Sequence, residues 1–401
     1  MVRVSPRVQR ILVLLICIAF CSSALAAPKK SRKKNTRSKS RSHAVHRARP
    51  PVVPYMSALV LDAQSGKVLF EKNPDLERAP ASLTKMMTEL LALEALDRGI
   101  VSLSDTIVVP SEVKTIGGSR LRLRAGERLC FDDALRAMVI ASANDAAFTV
   151  AHHISGSESA FVTLMNLRAR ELGMGRTRFV NSHGLDRKDI PGSVTTARDL
   201  ALLGRKLLEH PMSLQLSSTQ CDTVRHGQVI HSTNRLLGMC HGADGLKTGY
   251  TGKAGFCLVG TAERDGLRLI SVVLGASSNR RRFSESAGIL NKAFADFVKV
   301  PVIRKGQDLD HPCAMLGGSP PQVRLVAGED VAVVLPARLA RAPITLRVDA
   351  PKVGRPPIRE GSPLGNLVVL VGDSLAAQAP AVAARSVRRA NLFDRLGQVF
   401  H

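Results

Sequence analysis

The sequence has no acidic residue among its first fifty, no cysteines spaced C-x-x-C, and no N-terminal apolar run long enough to cross a membrane. Without C-x-x-C pairs a structural zinc site is not expected, and we expect no metal and no cofactor. The apolar run at residues 11–20 falls short of the roughly 20 residues that a spanning helix needs. At 401 residues, 45% of them hydrophobic, the chain is large enough for two domains and is neither wholly disordered nor collagen-like.

Residues 1–26 are predicted to be a signal peptide. Arg3, Arg7 and Arg10 precede the apolar run, and small residues follow it up to Ala26. A basic start, a short apolar stretch and a small-residue cleavage site are the three parts of a secretory signal. We therefore expect export to an oxidising compartment.

Residues 27–51 are predicted to form a disordered basic tether. They hold ten Lys and Arg residues and almost no apolar ones, so they cannot bury enough surface to fold. They also contribute to the formal net charge of +24. Because the chain is expected to be exported, we expect the tether to be attracted to anionic lipid or cell-wall polymer and not to nucleic acid.

Five cysteines lie beyond the predicted signal peptide, and an odd number cannot all pair within one chain. Cys221 and Cys240 flank a predicted hairpin and are the candidate partners for a disulfide. Cys257 lies in an apolar stretch, so we expect it to be buried.

The apolar periodicity changes along the chain in an order that predicts an α+β fold. Alternation of apolar and polar residues near the start of the predicted globular region indicates two strands, and a helical period follows over residues 80–208. The alternation returns over residues 223–274, before a last helix. Strands on both sides of a helical region favour an antiparallel sheet with a helical insert, over residues 52–298. Short apolar stretches between Pro and Gly predict a small all-β domain over residues 299–380.

Residues 385–401 regain a helical period and are predicted to form an amphipathic helix. Its apolar stripe and its arginines are Leu392, Phe393, Leu396, Val399 and Phe400, with Arg385, Arg388, Arg389 and Arg395. Such a helix is too short to span a bilayer. With one apolar and one basic face, it is expected to lie in the plane of an anionic membrane surface. We therefore expect peripheral attachment to the outer face of the inner membrane, from the periplasm; docking of the helix on its own domain is the alternative.

The first chemical motif is Ser82-Leu83-Thr84-Lys85, at the start of the first long helical stretch. A serine and a lysine three residues apart on a helix share one face, so the amine can reach the hydroxyl. The start of a helix also offers unpaired N–H groups beside the serine oxygen. The spacing therefore predicts a nucleophile and its base within one turn.

Two further motifs follow, Ser142-Ala143-Asn144 and Lys247-Thr248-Gly249. S-x-x-K and S-x-N patterns also occur elsewhere, beginning at Ser31, Ser111, Ser232 and Ser277, whereas K-T-G occurs once. The order of the three motifs and their separations, about 60 and about 100 residues, are therefore more specific than any single motif.

The three motifs in this order resemble those of the penicillin-recognising serine enzymes. Over residues 52–400 the chain resembles more specifically the low-molecular-mass D-alanyl-D-alanine carboxypeptidases, the serine peptidases of family S11. The stretches that carry the resemblance are Pro80-Ala81-Ser82-Leu83-Thr84-Lys85-Met86-Met87-Thr88, Ser142-Ala143-Asn144-Asp145-Ala146, His183-Gly184-Leu185-Asp186 and Gly245-Leu246-Lys247-Thr248-Gly249. The resemblance implies a β-lactamase/transpeptidase-like fold, removal of the terminal D-alanine from peptidoglycan stem peptides through an acyl-enzyme, and covalent inhibition by β-lactams.

The resemblance also implies roles for individual residues. Ser82 is the expected nucleophile and Lys85 the base that takes its proton. Lys247 is expected to lower the pKa of Lys85, together with burial. Ser142 is expected to relay a proton to the departing D-alanine, and Asn144 to hold the peptide backbone of the substrate.

The remaining implied roles concern binding. The N–H groups of Ser82 and Tyr250 are expected to form the oxyanion hole. Thr248, next to Gly249 in the K-T-G motif, is expected to hold the terminal carboxylate of the substrate together with an arginine. The first candidate for this arginine is Arg282.

Arg235 is the second candidate for the carboxylate-binding arginine. His183 is expected to be a loop histidine hydrogen-bonded to its neighbours; a catalytic role for it is the less favoured alternative.

Two other functions stay open. A class A β-lactamase shares the three motifs but needs a glutamate in an E-x-x-L-N pattern between the second and the third, and none occurs there. A non-catalytic peptidoglycan-binding protein on the same fold would not need the motif residues, which are all present. The carboxypeptidase interpretation is therefore preferred.

Overall fold

The computed structural model describes residues 54–186 and 191–391. The predicted signal peptide and tether, and residues 392–401 of the predicted terminal helix, lie outside the described residues. These interpretations, and the predicted domain boundaries, stay predictions.

The first part of the described chain alternates strands and helices. Its strands and α-helices are, in chain order, β1 (Ser57–Asp62), β2 (Val68–Lys72), α1 (Lys85–Asp97), β3 (Thr106–Val108), β4 (Arg128–Cys130), α2 (Phe131–Val139), α3 (Asn144–Ser155), α4 (Glu158–Glu171), α5 (Ala197–Leu207), α6 (Pro211–Ser218), β5 (Cys221–Val224), β6 (Gln228–His231), β7 (Ala243–Thr251), β8 (Gly255–Arg264), β9 (Leu267–Ala276) and α7 (Asn279–Asp296). Short 3₁₀ helices, including Ala81–Thr84 just before α1, occur between them.

Five of these strands form one antiparallel sheet in the order β2-β1-β9-β8-β7. The sheet is covered on both faces because alternate residues of its central strands pack into different cores. Val259 and Ile270 belong to the core that contains α1 to α6, while Leu258 and Leu269 pack against α7. The predicted α+β fold, an antiparallel sheet with a helical insert, is confirmed.

Helix α1 is the most enclosed helix of the insert. Ten of its thirteen residues are buried, which is typical of a helix surrounded by protein on all sides. Met86, Met87 and Leu90 are completely inaccessible within the core that α2 to α5 share. The residues at the start of α1 are therefore held by the main core of the molecule.

The last part of the described chain is all-β, as predicted. Its strands are β10 (Phe297–Ile303), β11 (Asp308–Met315), β12 (Gly318–Ser319), β13 (Gln322–Ala327), β14 (Val331–Pro336), β15 (Ile344–Asp349), β16 (Val353–Gly354), β17 (Pro363–Val371), β18 (Ser374–Ala383) and β19 (Arg388–Arg389). Six of them form one sheet in the order β15-β17-β18-β13-β11-β16.

The predicted terminal helix is wrong over residues 385–391. In this stretch Arg388 and Arg389 form β19, which pairs with β12, and Val387 bridges to Ile358. The reason is burial of apolar side chains in the β domain, where Val387 is 1% exposed. Pairing with neighbouring strands has overridden the helical period.

The predicted disulfide is also wrong. Cys221 is an exposed free thiol on β5 and Cys240 a buried one. Cys240 lies near the carbonyl of His241 and the side chain of Asn291, not near Cys221. Cys257 is fully buried in β8, as predicted. Within the described ranges, no helix is both long enough and apolar enough to cross a membrane.

Candidate active site

A cavity of about 320 Å³ lies where the start of α1, the turn between α2 and α3, and the edge strand β7 meet. The residues that line it include members of all three sequence motifs. The lining residues are Ser82, Gly118, Ser119, Ser142, Asn144, Gly184, Leu185, Thr233, Thr248, Gly249, Tyr250, Thr251 and Arg282.

Ser82 lies in the 3₁₀ turn Ala81–Thr84, which leads directly into α1. This turn is tightly packed: a Cβ atom on Gly184 would lie only 1.8 Å from the carbonyl oxygen of Ala81. Gly184 also has a φ of +82°, a conformation that glycine adopts without steric cost. Glycine at this position therefore allows the loop after α4 to pack against the turn that carries Ser82.

Lys85 is the central contact of the site. Its Nζ atom lies 3.0 Å from Ser82 Oγ, 2.5 Å from Asn144 Oδ1 and 2.8 Å from the carbonyl oxygen of His183. A neutral amine has two N–H bonds and one lone pair. When Asn144 and His183 accept those two N–H bonds, the lone pair of Lys85 is left facing the hydroxyl of Ser82.

The surroundings favour this neutral amine. Lys85 is 1% exposed, and burial, followed by the positive charge of Lys247, holds its pKa well below the ordinary value; Asp145 opposes the shift. Burying an amine lowers its pKa because the charged form loses hydration. The site therefore provides a base next to Ser82.

Lys247 comes from β7 and is as deeply buried as Lys85. Among the described residues its Nζ atom has no hydrogen-bond partner. Burial lowers its pKa to about 7; the carboxyl group of Glu89 opposes this shift and the positive charge of Arg282 reinforces it. Near neutral pH the amine of Lys247 is therefore present in both its charged and its neutral form, and its hydrogen-bonding capacity within the described residues is unused.

The rest of the K-T-G motif lies against the Ser82 turn. Gly249 lets β7 approach closely, since a Cβ atom there would lie 3.0 Å from the carbonyl oxygen of Pro80. The hydroxyl of Thr248 lies 2.6 Å from that of Thr233. Tyr250 is half exposed at the cavity and its ring stacks on Phe256.

Ser142 lies in the turn between α2 and α3, and Asn144 is the first residue of α3. Ser142 has a φ of +58°, an uncommon conformation for a residue other than glycine, and it is 5% exposed at the cavity. Asn144 accepts from Lys85 through Oδ1 and donates from Nδ2 to the carbonyl oxygen of Gly117, at 2.8 Å. Asn144 thus orients Lys85, and the sequence did not predict this contact. The expected contact of Asn144 with the substrate stays a prediction.

Comparison with known proteins identifies the family. A family model described as D-alanyl-D-alanine carboxypeptidase matches residues 44–278, more than half of the chain. The chain belongs to the D-alanyl-D-alanine carboxypeptidase family. A second model, the C-terminal domain of penicillin-binding protein 5, matches residues 297–389.

Individual members of the carboxypeptidase family match most of the chain. D-alanyl-D-alanine carboxypeptidase DacF of Bacillus subtilis is 32% identical over 344 residues, which cover 85% of this chain and 87% of the relative. DacC of Escherichia coli is 32% identical over 355 residues, covering 86% and 87%.

Solved structures show the same likeness. Penicillin-binding protein 5 from Haemophilus influenzae superposes with a TM-score of 0.73 at 28% identity, covering 85% of this chain and 99% of that one. Penicillin-binding protein D2 from Listeria monocytogenes, in its ampicillin-bound form, superposes with a TM-score of 0.56 at 36% identity, covering 61% of this chain and all of that one.

The structure distinguishes the two arginine candidates of this family member. Arg282 lines the cavity, is 7% exposed, and donates a hydrogen bond of 3.0 Å to the carbonyl oxygen of Gly249. Arg235 is exposed and does not line the cavity. Burial, with a smaller effect from the positive charge of Arg235, lowers the pKa of Arg282 to about 10.

His183 is a loop residue bonded to its neighbours. Its Nδ1 accepts the backbone N–H of Leu185, and burial, followed by the charge of Lys85, lowers its pKa to about 3. Its side chain is therefore neutral. The backbone carbonyl of His183 also orients Lys85. The sequence did not predict this contact, because a backbone carbonyl does not depend on the residue type.

The sequence motifs also did not point to Glu89 or Thr233 as parts of the site. Glu89 lies one turn after Lys85 on α1, is 3% exposed, and burial raises its pKa to about 7. The available signal was a carboxylate four residues after Lys85, which places both side chains on the same face of α1. Thr233, hydrogen-bonded to Thr248, lies within the S-x-N pattern that begins at Ser232.

Proposed function

We propose that the chain is a serine-type D-alanyl-D-alanine carboxypeptidase that removes the terminal D-alanine from peptidoglycan stem peptides. The observation that carries this proposal is the 3.0 Å contact between Lys85 Nζ and Ser82 Oγ in a buried site that lowers the lysine pKa. The names of its relatives support the same substrate class.

The first step is attack on the penultimate residue of the peptide. Lys85 takes the proton of the Ser82 hydroxyl while Oγ bonds to the carbonyl carbon of the penultimate D-alanine. The tetrahedral intermediate collapses as the C–N bond breaks, and the proton that Lys85 took passes through Ser142 to the departing amine, which leaves Lys85 neutral again. The products are free D-alanine and an ester on Ser82.

The negative oxygen of the intermediate needs donors that are already in place. We assign this role to the N–H groups of Ser82 and Tyr250, because both residues line the cavity from different elements. Removing one such donor typically costs about 3–4 kcal/mol in the activation barrier. The carboxylate of the terminal D-alanine is assigned to Thr248 and Arg282, with Lys247 adding positive charge.

Water then cleaves the ester, with Lys85 as the base. Among the thirteen described residues that line the cavity there is no Asp or Glu. A β-lactam that acylates Ser82 should therefore be released slowly, since none of the described lining residues supplies a carboxylate that could activate water rapidly. This composition favours the carboxypeptidase over the β-lactamase alternative, and the assembled Ser82–Lys85 pair favours it over a non-catalytic wall-binding protein.

The proposal is tested with the purified protein and its Ser82→Ala variant. The wild type should release D-alanine from a peptide ending in D-Ala-D-Ala and form a stable covalent band with a fluorescent penicillin. The variant should do neither. Rapid turnover of penicillin without peptide hydrolysis would instead identify a β-lactamase, and absence of both activities a binding protein.

We also propose that the protein is exported to the periplasm and acts at the outer face of the inner membrane. The motivation for export is the signal-like sequence of residues 1–26. The motivation for attachment is the composition of residues 392–401, where Leu392, Phe393, Leu396, Val399 and Phe400 accompany Arg395. Fractionation of cells that produce the full chain tests export. The same experiment with a chain that ends at Asn391, and so keeps β19, tests attachment. Recovery of the full chain in the cytoplasm would refute export, and membrane sedimentation of the shortened chain at high salt would refute attachment through its C-terminus.

A further inference from the structure

A second groove adjoins the catalytic cavity along one stretch of chain, residues 117–124. Gly118 and Ser119 line the catalytic cavity, while Arg122 and Arg124 line a groove of about 470 Å³. Because Ser119 and Arg122 are three residues apart, their Cα atoms can be separated by at most about 11 Å. A ligand that enters the catalytic cavity is therefore close to this groove.

The backbone of this stretch is fixed from the inside. The N–H groups of Leu121 and Leu123 donate hydrogen bonds of 2.9 and 3.0 Å to the two carboxylate oxygens of Asp145, which is 1% exposed. Both leucine side chains are buried, and Arg122 between them is exposed with a φ of +63°. A residue other than glycine in this conformation is strained and is retained only where its surroundings impose it, often at functional sites.

Two arginines of the groove carry positive charge that no carboxylate of the described residues neutralises. The ionisable residues of the groove are Arg122, Arg124, Arg225, His226 and Glu127. Glu127 forms an ion pair with Arg225, and Arg225 also donates a 2.8 Å hydrogen bond to the carbonyl oxygen of Leu121. Within residues 54–186 and 191–391, no carboxylate pairs with the guanidinium group of Arg122 or of Arg124.

We propose that Arg122 and Arg124 bind a carboxylate of an acidic peptide substrate, in the stretch that precedes its terminal D-Ala-D-Ala. This inference rests on the proposed function, because it extends the same binding site. An extended peptide advances about 3.3–3.6 Å per residue, so a side chain two or three residues before the cleaved bond reaches the arginines. Guanidinium groups favour carboxylates because they can donate two parallel hydrogen bonds.

Two acetylated pentapeptides ending in D-Ala-D-Ala, with either glutamate or glutamine as the second residue, test the proposal. The wild type should prefer the glutamate peptide, and the preference should shrink at high salt because exposed charges are screened. Arg122→Gln and Arg124→Gln should each reduce kcat/KM for the glutamate peptide by roughly threefold to fivefold, mainly through KM. Neither variant should change kcat/KM for the glutamine peptide or the rate of penicillin labelling.

Arg359→Gln is the matched control, since Arg359 is an exposed arginine of the β domain. Equal losses for the two peptides, or no preference in the wild type, would overturn the proposal. So would reduced binding of the variants to phosphatidylglycerol vesicles with unchanged peptide kinetics, which would assign the groove to a membrane surface.

Binding of fluorescently labelled peptides to Ser82→Ala separates this inference from the proposed function. If the wild type cleaves neither peptide, the carboxypeptidase proposal fails. The groove proposal then stands if Ser82→Ala binds the glutamate peptide more tightly than the glutamine peptide and this preference depends on Arg122 and Arg124. Without such a preference the groove proposal fails.

Discussion

The hydroxyl of Ser213 on α6 donates a hydrogen bond of 2.7 Å to Oε1 of Glu89, one turn beyond Lys85 on α1. Both side chains are buried, and the Ser213 hydroxyl and the positive charge of Lys247 both stabilise this carboxylate. Burial dominates, because it raises the pKa of Glu89 to about 7 although Ser213 and Lys247 act in the opposite direction.

Glu89→Gln should make stability less dependent on pH. The folded-state pKa of Glu89, about 7, lies above its ordinary value of 4.5. The stability that the protonated Glu89 contributes is therefore fully present below pH 4.5 and is lost as pH rises to about 7. The shift corresponds to up to about 3 kcal/mol. The free energy of unfolding of Glu89→Gln relative to the wild type should therefore rise between pH 4.5 and 7, as measured by urea unfolding at several pH values. Parallel profiles for the two proteins would contradict a buried, titrating Glu89.

Asn144→Asp should shift the pH dependence of penicillin labelling upward. A carboxylate 2.5 Å from Lys85 Nζ, in place of the amide oxygen, would stabilise the charged amine and raise its pKa. At pH 7 fewer molecules would then hold the neutral base, so the acylation rate should fall, by about tenfold for each unit of pKa, and recover as pH increases. Asn291→Asp, outside the cavity, is the control and should label like the wild type. A uniform loss at every pH would mean that Asn144 acts in some other way.

Gly184→Ala should disturb the turn that carries Ser82. The added Cβ would lie 1.8 Å from the Ala81 carbonyl oxygen at a φ of +82°, and the backbone strain alone costs about 1–2 kcal/mol. We expect a lower Tm and a loss of penicillin labelling. Gly288→Ala is a suitable control, because Gly288 lies on α7 with open space around it, and this change should stabilise the protein by about 0.4–1 kcal/mol. Normal labelling by Gly184→Ala would show that the contact does not position Ser82.

Arg282→Gln should weaken recognition of the terminal carboxylate. Losing a charged partner in a buried site costs about 2 kcal/mol or more, so kcat/KM for a peptide ending in D-Ala-D-Ala should fall by roughly thirtyfold. Arg280→Gln, an exposed neighbour on the same helix, should have little effect, and so should Arg235→Gln. A larger loss for Arg235→Gln than for Arg282→Gln would reverse the assignment of the two candidates.

The sequence predicts best where spacing along one element fixes geometry. Ser82 and Lys85 are three residues apart on one short stretch, so their contact follows from helical geometry alone. Their distance from Lys247 depends on how the chain folds back, and here a resemblance to known proteins was needed. The local pattern of β7 gives little help, since Asp244, Gly245 and Lys247 interrupt any alternation.

The errors have a common physical cause, which is that tertiary contacts override local pattern. Residues 385–391 have the periodicity of a helix, but Val387 and the backbone of β19 find partners in the β domain. The acceptors around Lys85 include a backbone carbonyl, that of His183, and no residue type encodes such a group. Glu89 was overlooked because its burial depends on how the distant helices of the core pack around α1, and its hydrogen bond comes from Ser213, more than 120 residues later.

The burial of α1 has a consequence for how the protein loses activity. For a helix enclosed on almost every side, local opening requires nearly as much free energy as global unfolding. Its amide hydrogens should therefore exchange with solvent only when the whole domain unfolds. Ser82 and Lys85 should accordingly keep their alignment until the cooperative transition, and covalent capture of a labelled β-lactam would report on the integrity of the entire fold.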